Sequence, residues 1–287
     1  MENIQFFFIG MIIGLANIIP GVSGGTMAVV FGVFDRLIAS ISNIRKEFKK
    51  SILLLLPMGL GAGVAILLLS QGLKWLLDHY YMATNLFFIG VIVGSIPMIF
   101  GKSVEGGFKI RNLIPFVVTF AMMIGMMFLS PEGEQVIARS LDVLTSIKLL
   151  VFSAIAAISM IIPGLSGSFV MLLLGTYNTV ITAIAELNIV MLIPVVIGVA
   201  FGILFGSKLI NWLIMRFPQA TYFAILGFVI GSIPTIFGKI SAAQAYRGGW
   251  ELVIGILVGV IGGLISFVFS SETLKERLFK KKEHKEV

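Results

Sequence analysis

Two long apolar stretches of this chain are interrupted by nearly the same short pattern. The first interruption reads Pro20-Gly21-Val22-Ser23-Gly24-Gly25, and the second reads Pro163-Gly164-Leu165-Ser166-Gly167-Ser168. Proline and glycine break helices, whereas the residues on either side of both patterns favour them. Broken helices in corresponding positions of two halves are typical of proteins with a substrate site at membrane depth. The pattern therefore predicts two helical hairpins whose corners lie inside a bilayer.

The composition is that of a multi-pass membrane protein. Hydrophobic residues make up 58% of the chain, and charged residues make up only 12%. Runs such as Leu53–Leu69, Leu113–Leu129 and Leu252–Phe269 are long enough to approach or complete a bilayer crossing, which takes about 20 residues. The chain has no cysteine, which excludes disulfides and thiolate metal sites. We expect an all-α integral membrane protein, with no metal and no cofactor.

The second half of the chain repeats the first. Besides the two interruptions, Gly94–Lys102 matches Gly231–Lys239 at every position except Met98 and Thr235. Each half is predicted to contain one re-entrant hairpin and about three transmembrane helices. In the first half these are Ile4–Ile41 (broken at Pro20–Gly25), Ser51–Leu73, Asn85–Phe100 and Asn112–Leu129; in the second half they are Ser146–Ile184, Ile189–Leu213, Tyr222–Phe237 and Glu251–Phe269.

The repeat divides the chain into four parts. Residues 1–130 form the first repeat, residues 131–145 an extracytoplasmic linker, residues 146–270 the second repeat and residues 271–287 a charged cytoplasmic tail. A hairpin contributes an even number of crossings and the three further helices contribute an odd number, so the two repeats should have inverted topology.

The charges indicate the orientation. Most Lys and Arg residues lie in residues 43–50, 102–111, 216 and 271–287, which the predicted topology places on one side. Cytoplasmic loops carry an excess of Lys and Arg, so this side is predicted to be the cytoplasm of a bacterial plasma membrane, with both termini there. The net charge of +7 is thus explained by orientation, and no nucleic-acid partner is predicted.

The two corners have the chemistry of an anion site. A helix that starts inside a membrane has backbone N–H groups without intrahelical partners, and its dipole adds partial positive charge there. Glycine permits close approach to the backbone, and serine or threonine adds hydroxyl donors. Turns and close helix packing are the alternative reading of the same residues. The predicted substrate-binding residues are Asn17, Pro20, Gly21, Ser23, Gly24, Gly25, Thr26, Pro163, Gly164, Ser166, Gly167 and Ser168.

Four charged residues are candidates for coupling or gating. Lys102 and Lys239 end the repeated block on opposite faces and could attract an anionic headgroup or extend to the interface. Asp35 and Arg36 follow the first corner, where the acid could bind a coupling ion or have a structural role; Asn178 replaces Asp35 in the second half.

The residues that carry these features resemble a known family. Ala16 to Thr26, with Gly32-Val33-Phe34-Asp35-Arg36 downstream, is similar to the first signature of the PopT-like polyprenyl-phosphate transporter family of bacterial membrane proteins, and Met160 to Phe169 is similar to its second. The resemblance covers nearly the whole chain apart from the charged tail. It implies a translocase that returns undecaprenyl phosphate to the cytoplasmic leaflet for cell-envelope glycan synthesis, with the two corners along the phosphate path.

Two other functions remain open at this stage. A transporter of a small soluble anion could use the same corners without access for a lipid. A membrane-embedded polyprenyl-diphosphate phosphatase has similar inverted halves, but Gly24 and Gly167 stand where its phosphate-clamping Arg would follow the serine. We therefore expect a transporter and no enzyme. The expected partners are a polyprenyl phosphate lipid and the bilayer; the sequence makes no prediction of oligomeric state.

Overall fold

The computed structural model describes residues 2–18, 23–129, 138, 141–242 and 249–270, and within these ranges all regular structure is helical, with no strand. The predicted linker, apart from a few residues, and the charged tail lie outside the described residues. Twelve α-helices follow one another: α1 (Glu2–Ile18), α2 (Gly24–Val30), α3 (Phe34–Ser42), α4 (Phe48–His79), α5 (Tyr81–Ser103), α6 (Leu113–Met127), α7 (Val143–Ile161), α8 (Gly167–Leu173), α9 (Tyr177–Ala185), α10 (Ile189–Arg216), α11 (Pro218–Ala242) and α12 (Trp250–Ser270).

Seven of the described helices are long and apolar enough to cross a membrane. They are α4, α5, α6 (with the short 3-10 helix that precedes it), α7, α10, α11 and α12. Helix α1 is a shorter apolar helix, and α8 and α9 form a further candidate span that is bent by 113°. The prediction of an all-α, multi-pass membrane protein is therefore confirmed.

The segment after each corner is broken once more, which the sequence analysis did not anticipate. Helix α2 ends at Val30, two residues before Gly32 (φ 66°), and α8 ends at Leu173, two residues before Gly175 (φ 71°). In both, the glycine N–H donates to the carbonyl three residues earlier. The N–H of the next residue donates to the carbonyl five residues earlier, from Val33 to Ala28 and from Thr176 to Met171. This is the Schellman motif, which ends a helix on a left-handed residue. The single second limb predicted for each hairpin is thus two short helices.

Helices pack side by side in pairs, and each pair in one half of the sequence has a counterpart at the equivalent positions of the other half. Helix α5 packs along α12 and α6 along α11, while α1 packs along α4 and α7 along α10. Each pair runs in parallel: Gly198 lies against Leu150 and Gly202 against Ala154, and the other pairs advance together in the same way. The core lies between α5 and α11, which contact each other. Ile92 and Ile99 of α5 and Val229 of α11 are fully buried there.

One end of the molecule collects residues from several of these helices. Gln219, at the start of α11, donates hydrogen bonds to the carbonyls of Glu105 and Gly107 and accepts one from Asn112. We call the surface formed by residues 102–112 and 216–222 the basic end. Helices α5 and α10 end there, whereas α6 and α11 begin there. Helix α12 runs parallel to α5, so residue 270 also lies toward this end.

Candidate functional site

The first tip, residues 17–26, is capped by its own side chains. The Asn17 amide oxygen accepts a hydrogen bond from the Gly24 N–H at 2.9 Å, and Ser23 Oγ accepts one from the Thr26 N–H at 3.1 Å. Ser23 occupies the N-cap position of α2, which serine favours because its oxygen satisfies an orphan amide. Pro20 and Gly21, which the sequence predicts to be in the site, lie outside the described residues.

The second tip, residues 160–169, contacts the first directly. The Gly164 N–H donates to both Ser23 Oγ, at 3.0 Å, and Thr26 Oγ1, at 2.8 Å. The two hydroxyls lie 3.0 Å apart and are themselves hydrogen-bonded. Ser23 and Thr26 are almost completely buried, with 3% and 1% of their surface exposed. A backbone donor of one repeat is therefore held by two side chains of the other.

Gly164 has a backbone conformation and surroundings that suit only glycine. Its φ is +90°, and a Cβ at this position would lie 2.6 Å from the Phe228 carbonyl oxygen of α11. The next residue, Leu165, is buried against Met123 and Phe228. The predicted site residue Pro163 is also fully buried. The second tip is thus wedged between the first tip and α11.

Beyond Leu165, the second tip is open. Ser166 makes no capping hydrogen bond with its side chain, and its hydroxyl instead lies 2.8 Å from that of Ser168 in an exposed pair. Among the described residues, the N–H groups of Gly167 and Ser168 have no hydrogen-bond partner. The two hydroxyls and the Ser168 amide are therefore accessible to a ligand here, whereas Gly167 is itself buried.

The burial of the helices that follow the tips differs in the same way. In α2 every residue except Gly25 is buried, and Gly25 lies against the second tip, where a Cβ would come within 2.8 Å of the Ile161 carbonyl oxygen. In α8 only Gly167 is buried. The predicted site residues that the structure describes thus fall into a closed group at the first tip and an open group at the second.

A second polar cluster joins α3, α5 and α11 at the basic end. Lys102 Nζ lies 2.6 Å from Asp35 Oδ2, and the Tyr222 hydroxyl donates to Asp35 Oδ1 at 2.6 Å. Lys102 Nζ is also 3.3 Å from the Tyr222 oxygen and 5.1 Å from the centre of its ring. Arg36 lies over the Phe6 ring at 5.0 Å. Helix α11 contains Lys239, whose side chain the structure does not describe.

Tyr222 was missed by the sequence analysis. It begins the predicted segment Tyr222–Phe237, and no neighbouring residue in the sequence indicates that it belongs to a polar site. The internal repeat offers the only signal, because the position equivalent to Tyr222 is Asn85, also polar and almost completely buried. No group of His, Cys, Asp and Glu that could hold a metal ion occurs in the part of the chain that the structure describes.

Fold and site together define a multi-pass helical membrane protein in which two broken segments meet at their corners. The family model described as VCA0040-like, undecaprenyl phosphate translocase-like, matches residues 13–248. The chain belongs to this family. The resemblance drawn from the tip motifs is therefore confirmed.

Two relatives with curated names are similar over most of the chain. The polyprenyl-phosphate transporter of Staphylococcus aureus (strain NCTC 8325 / PS 47) is 32% identical over 275 residues, covering 92% of this chain and 95% of the relative. The polyprenyl-phosphate transporter of Vibrio cholerae serotype O1 is 28% identical over 251 residues, covering 83% and 78%. No solved structure gives a significant match. Both relatives are named as transporters, in agreement with the prediction that this chain is no enzyme.

Proposed function

We propose that this protein moves undecaprenyl phosphate, or a closely related polyprenyl phosphate, across the bacterial plasma membrane. It would return the lipid carrier to the cytoplasmic leaflet, where cell-envelope glycan synthesis reuses it. The support comes from membership of the undecaprenyl phosphate translocase-like family and from the names of both relatives. The site chemistry supports the same class of substrate, since exposed hydroxyl and amide donors suit a phosphate headgroup.

The observation that carries the mechanism is the hydrogen bond from Gly164 to Ser23 and Thr26. It joins the two repeats at their corners, between the helices that the composition assigns to the membrane. The polar part of this contact is two hydrogen bonds, which can be broken and remade as one repeat moves against the other. Alternating access in transporters built from repeats uses such motion around a fixed site.

Helix directions support inverted repeats. Helix α4 runs parallel to α1, and α10 runs parallel to α7 and ends at the basic end. Phe6, near the start of α1, lies beneath Arg36. The neighbouring residue Asp35 pairs with Lys102 at the basic end, so α1 begins toward that end. The first broken segment would therefore enter from the basic end and the second from the opposite side. The positive-inside rule assigns the basic end, and with it both termini, to the cytoplasm.

In this proposal the headgroup binds at the second tip. The Ser166 and Ser168 hydroxyls and the Ser168 amide donate to the phosphate oxygens. The site has no fixed positive charge, so it can hold an anion and also release it, whereas a buried cation would be costly when empty. The partly exposed side chains of α8, from Phe169 to Leu173, offer an apolar surface along which the isoprenoid chain remains in the bilayer.

Flipping of a labelled polyprenyl phosphate in liposomes tests this function. Purified wild-type protein is expected to make the label in both leaflets accessible to a membrane-impermeant quencher. The variant Ser166→Ala/Ser168→Ala should flip about tenfold more slowly or worse, because hydrogen bonds to a charged group are among the stronger ones. Thr182→Ala, a half-exposed hydroxyl of α9 in the same broken segment, is the matched control and should flip at the wild-type rate.

The same vesicles distinguish the alternatives. Uptake of inorganic phosphate without lipid flipping would support a transporter of soluble anions. Release of phosphate from a polyprenyl diphosphate, with a divalent metal present, would support the phosphatase. Either result, with no flipping by the wild type, would contradict the proposed function.

A further inference from the structure

We propose that Lys102 and Tyr222 form a phosphate-monoester site at the basic end, and that Asp35 occupies this site as an internal anion in the present conformation. The inference rests on the proposed function and deepens it. It names the residues that receive the lipid headgroup at one end of its path, and it assigns Asp35 the role of a competitor for the same donors.

The donors around Asp35 are those that a phosphate monoester would use. An ammonium group lies 2.6 Å from one carboxylate oxygen, and a phenol hydroxyl donates to the other, also at 2.6 Å. A cation beside a neutral hydroxyl donor recognises the oxygens of any compact anion, and phosphate presents more oxygens than a carboxylate does. The ring of Tyr222 beneath the ammonium fixes the direction from which an anion approaches.

The cluster is accessible enough for exchange. The side chains of Lys102 and Asp35 are 35% and 36% exposed, whereas Tyr222 is buried and holds its hydroxyl in place. A fully buried ion pair is hard to open because each ion would be left unpaired in a medium of low polarity. Because about a third of its side chain is exposed, the Asp35 carboxylate can become solvated by water while an incoming phosphate takes its position beside Lys102.

The exchange is coupled to movement because the three residues lie on different helices. Asp35 belongs to α3, which follows the first tip, whereas Lys102 ends α5 and Tyr222 belongs to the first turns of α11. Loss of the Asp35 contacts releases α3 from both helices. Binding of a headgroup at this site would therefore open the basic end, and return of Asp35 would expel the headgroup and close it.

The opposite end has no equivalent competitor in the sequence. The repeat aligns Lys102 with Lys239, but it aligns Asp35 with Asn178 and Tyr222 with Asn85. A neutral amide does not compete with phosphate for a lysine as a carboxylate does. The competitor therefore lowers headgroup affinity at the basic end specifically, which favours release of the lipid there.

The test is the affinity for farnesyl phosphate, a short soluble analogue, measured by calorimetry on detergent-purified full-length protein. Asp35→Asn removes the competitor and is expected to bind about three- to tenfold more tightly than wild type, since the competent fraction of the site rises. Lys102→Met and Tyr222→Phe should weaken binding, and Asp35→Asn/Lys102→Met should lose the gain. Farnesol, which lacks the phosphate, and inorganic phosphate show how much of the binding depends on each part of the ligand.

A merely structural ion pair predicts no gain in affinity: Asp35→Asn would bind no better than wild type, and that result would overturn the inference. If Asp35→Asn fails to fold, Ile38→Cys supplies the test with Asp35 intact. Ile38 is buried on α3, and the natural chain has no cysteine. Farnesyl phosphate should accelerate its reaction with N-ethylmaleimide, and farnesol should not; an unchanged rate at saturation would overturn the inference.

These results separate this inference from the proposed function. If the wild type flips polyprenyl phosphate and Asp35→Asn shows no gain in affinity, the Lys102–Tyr222 site fails while the function stands. If the wild type neither binds farnesyl phosphate nor flips the long lipid, both fail.

Discussion

The two tips share a motif but differ in how their polar groups are satisfied. At the first tip, the Gly24 N–H is bonded to Asn17, and the Ser23 and Thr26 hydroxyls are buried against the second tip. At the second tip, Ser166 and Ser168 are bonded to each other and exposed. The first tip therefore has little left to offer a ligand in this conformation, whereas the second has accessible hydroxyls that are bonded only to each other.

The difference comes from the residues around the motif. The repeat aligns Asn17 with Met160 and Thr26 with Phe169, so two of the three side chains that satisfy the first tip have apolar equivalents at the second. Gly25 aligns with Ser168, which adds a hydroxyl to the open tip. Similar corners thus differ in what they bind within the fold: the first accepts a backbone hydrogen bond from the second. We propose that the second binds the substrate.

The largest effect is expected from Gly164→Ala. The change combines an unfavourable φ with a clash against the Phe228 carbonyl, so we expect a loss of about 2–5 kcal/mol in the free energy of unfolding. Unfolding in mixed micelles with increasing SDS measures it. Gly175→Ala has a similar φ but open space, and should lose only about 1–2 kcal/mol. Gly63→Ala, in a helix and with open space, should lose nothing. Equal losses in all three variants would contradict the wedged position of Gly164.

A smaller effect is expected when the two capping serines are compared directly. Ser23→Ala removes an acceptor from the buried Gly164 and Thr26 N–H groups, and should destabilise the fold by about 1–3 kcal/mol. Ser166→Ala removes a half-exposed hydroxyl that caps nothing, and should change stability by less than about 0.5 kcal/mol. The same unfolding experiment checks both. Similar losses at the two positions would show that the tips are equally closed, contrary to the asymmetry described above.

The fold was largely predictable because the signals are local. Apolar length predicts the membrane helices, and the repeated Gly-Ser-Ile-Pro blocks align α5 with α11. Helix ends were predicted less well: the segment Ser51–Leu73 is part of a helix that continues to His79. Polar residues such as Lys74 and Asp78 follow Leu73, yet Trp75 stacks on His79 and its carbonyl contacts the His79 ring nitrogen, which supports further helical turns.

The candidate site was less predictable because its asymmetry depends on contacts between distant segments. The motif predicts donors at both tips, but only the packing of Gly164 against Ser23 determines which donors are already used. The same applies to Asp35, whose partners Lys102 and Tyr222 are 67 and 187 residues away. Local patterns identify polar groups in a membrane helix, and tertiary structure decides which of them face each other.

The most direct test of the central claim, that the second tip binds the headgroup, is protection of Ser168→Cys. The natural chain has no cysteine, so this variant carries a single exposed thiol. Saturating polyprenyl phosphate is expected to slow its reaction with a methanethiosulfonate reagent about tenfold or more, and polyprenol without the phosphate is expected to leave the rate unchanged. An unchanged rate with polyprenyl phosphate, in protein that still flips this lipid, would contradict the claim.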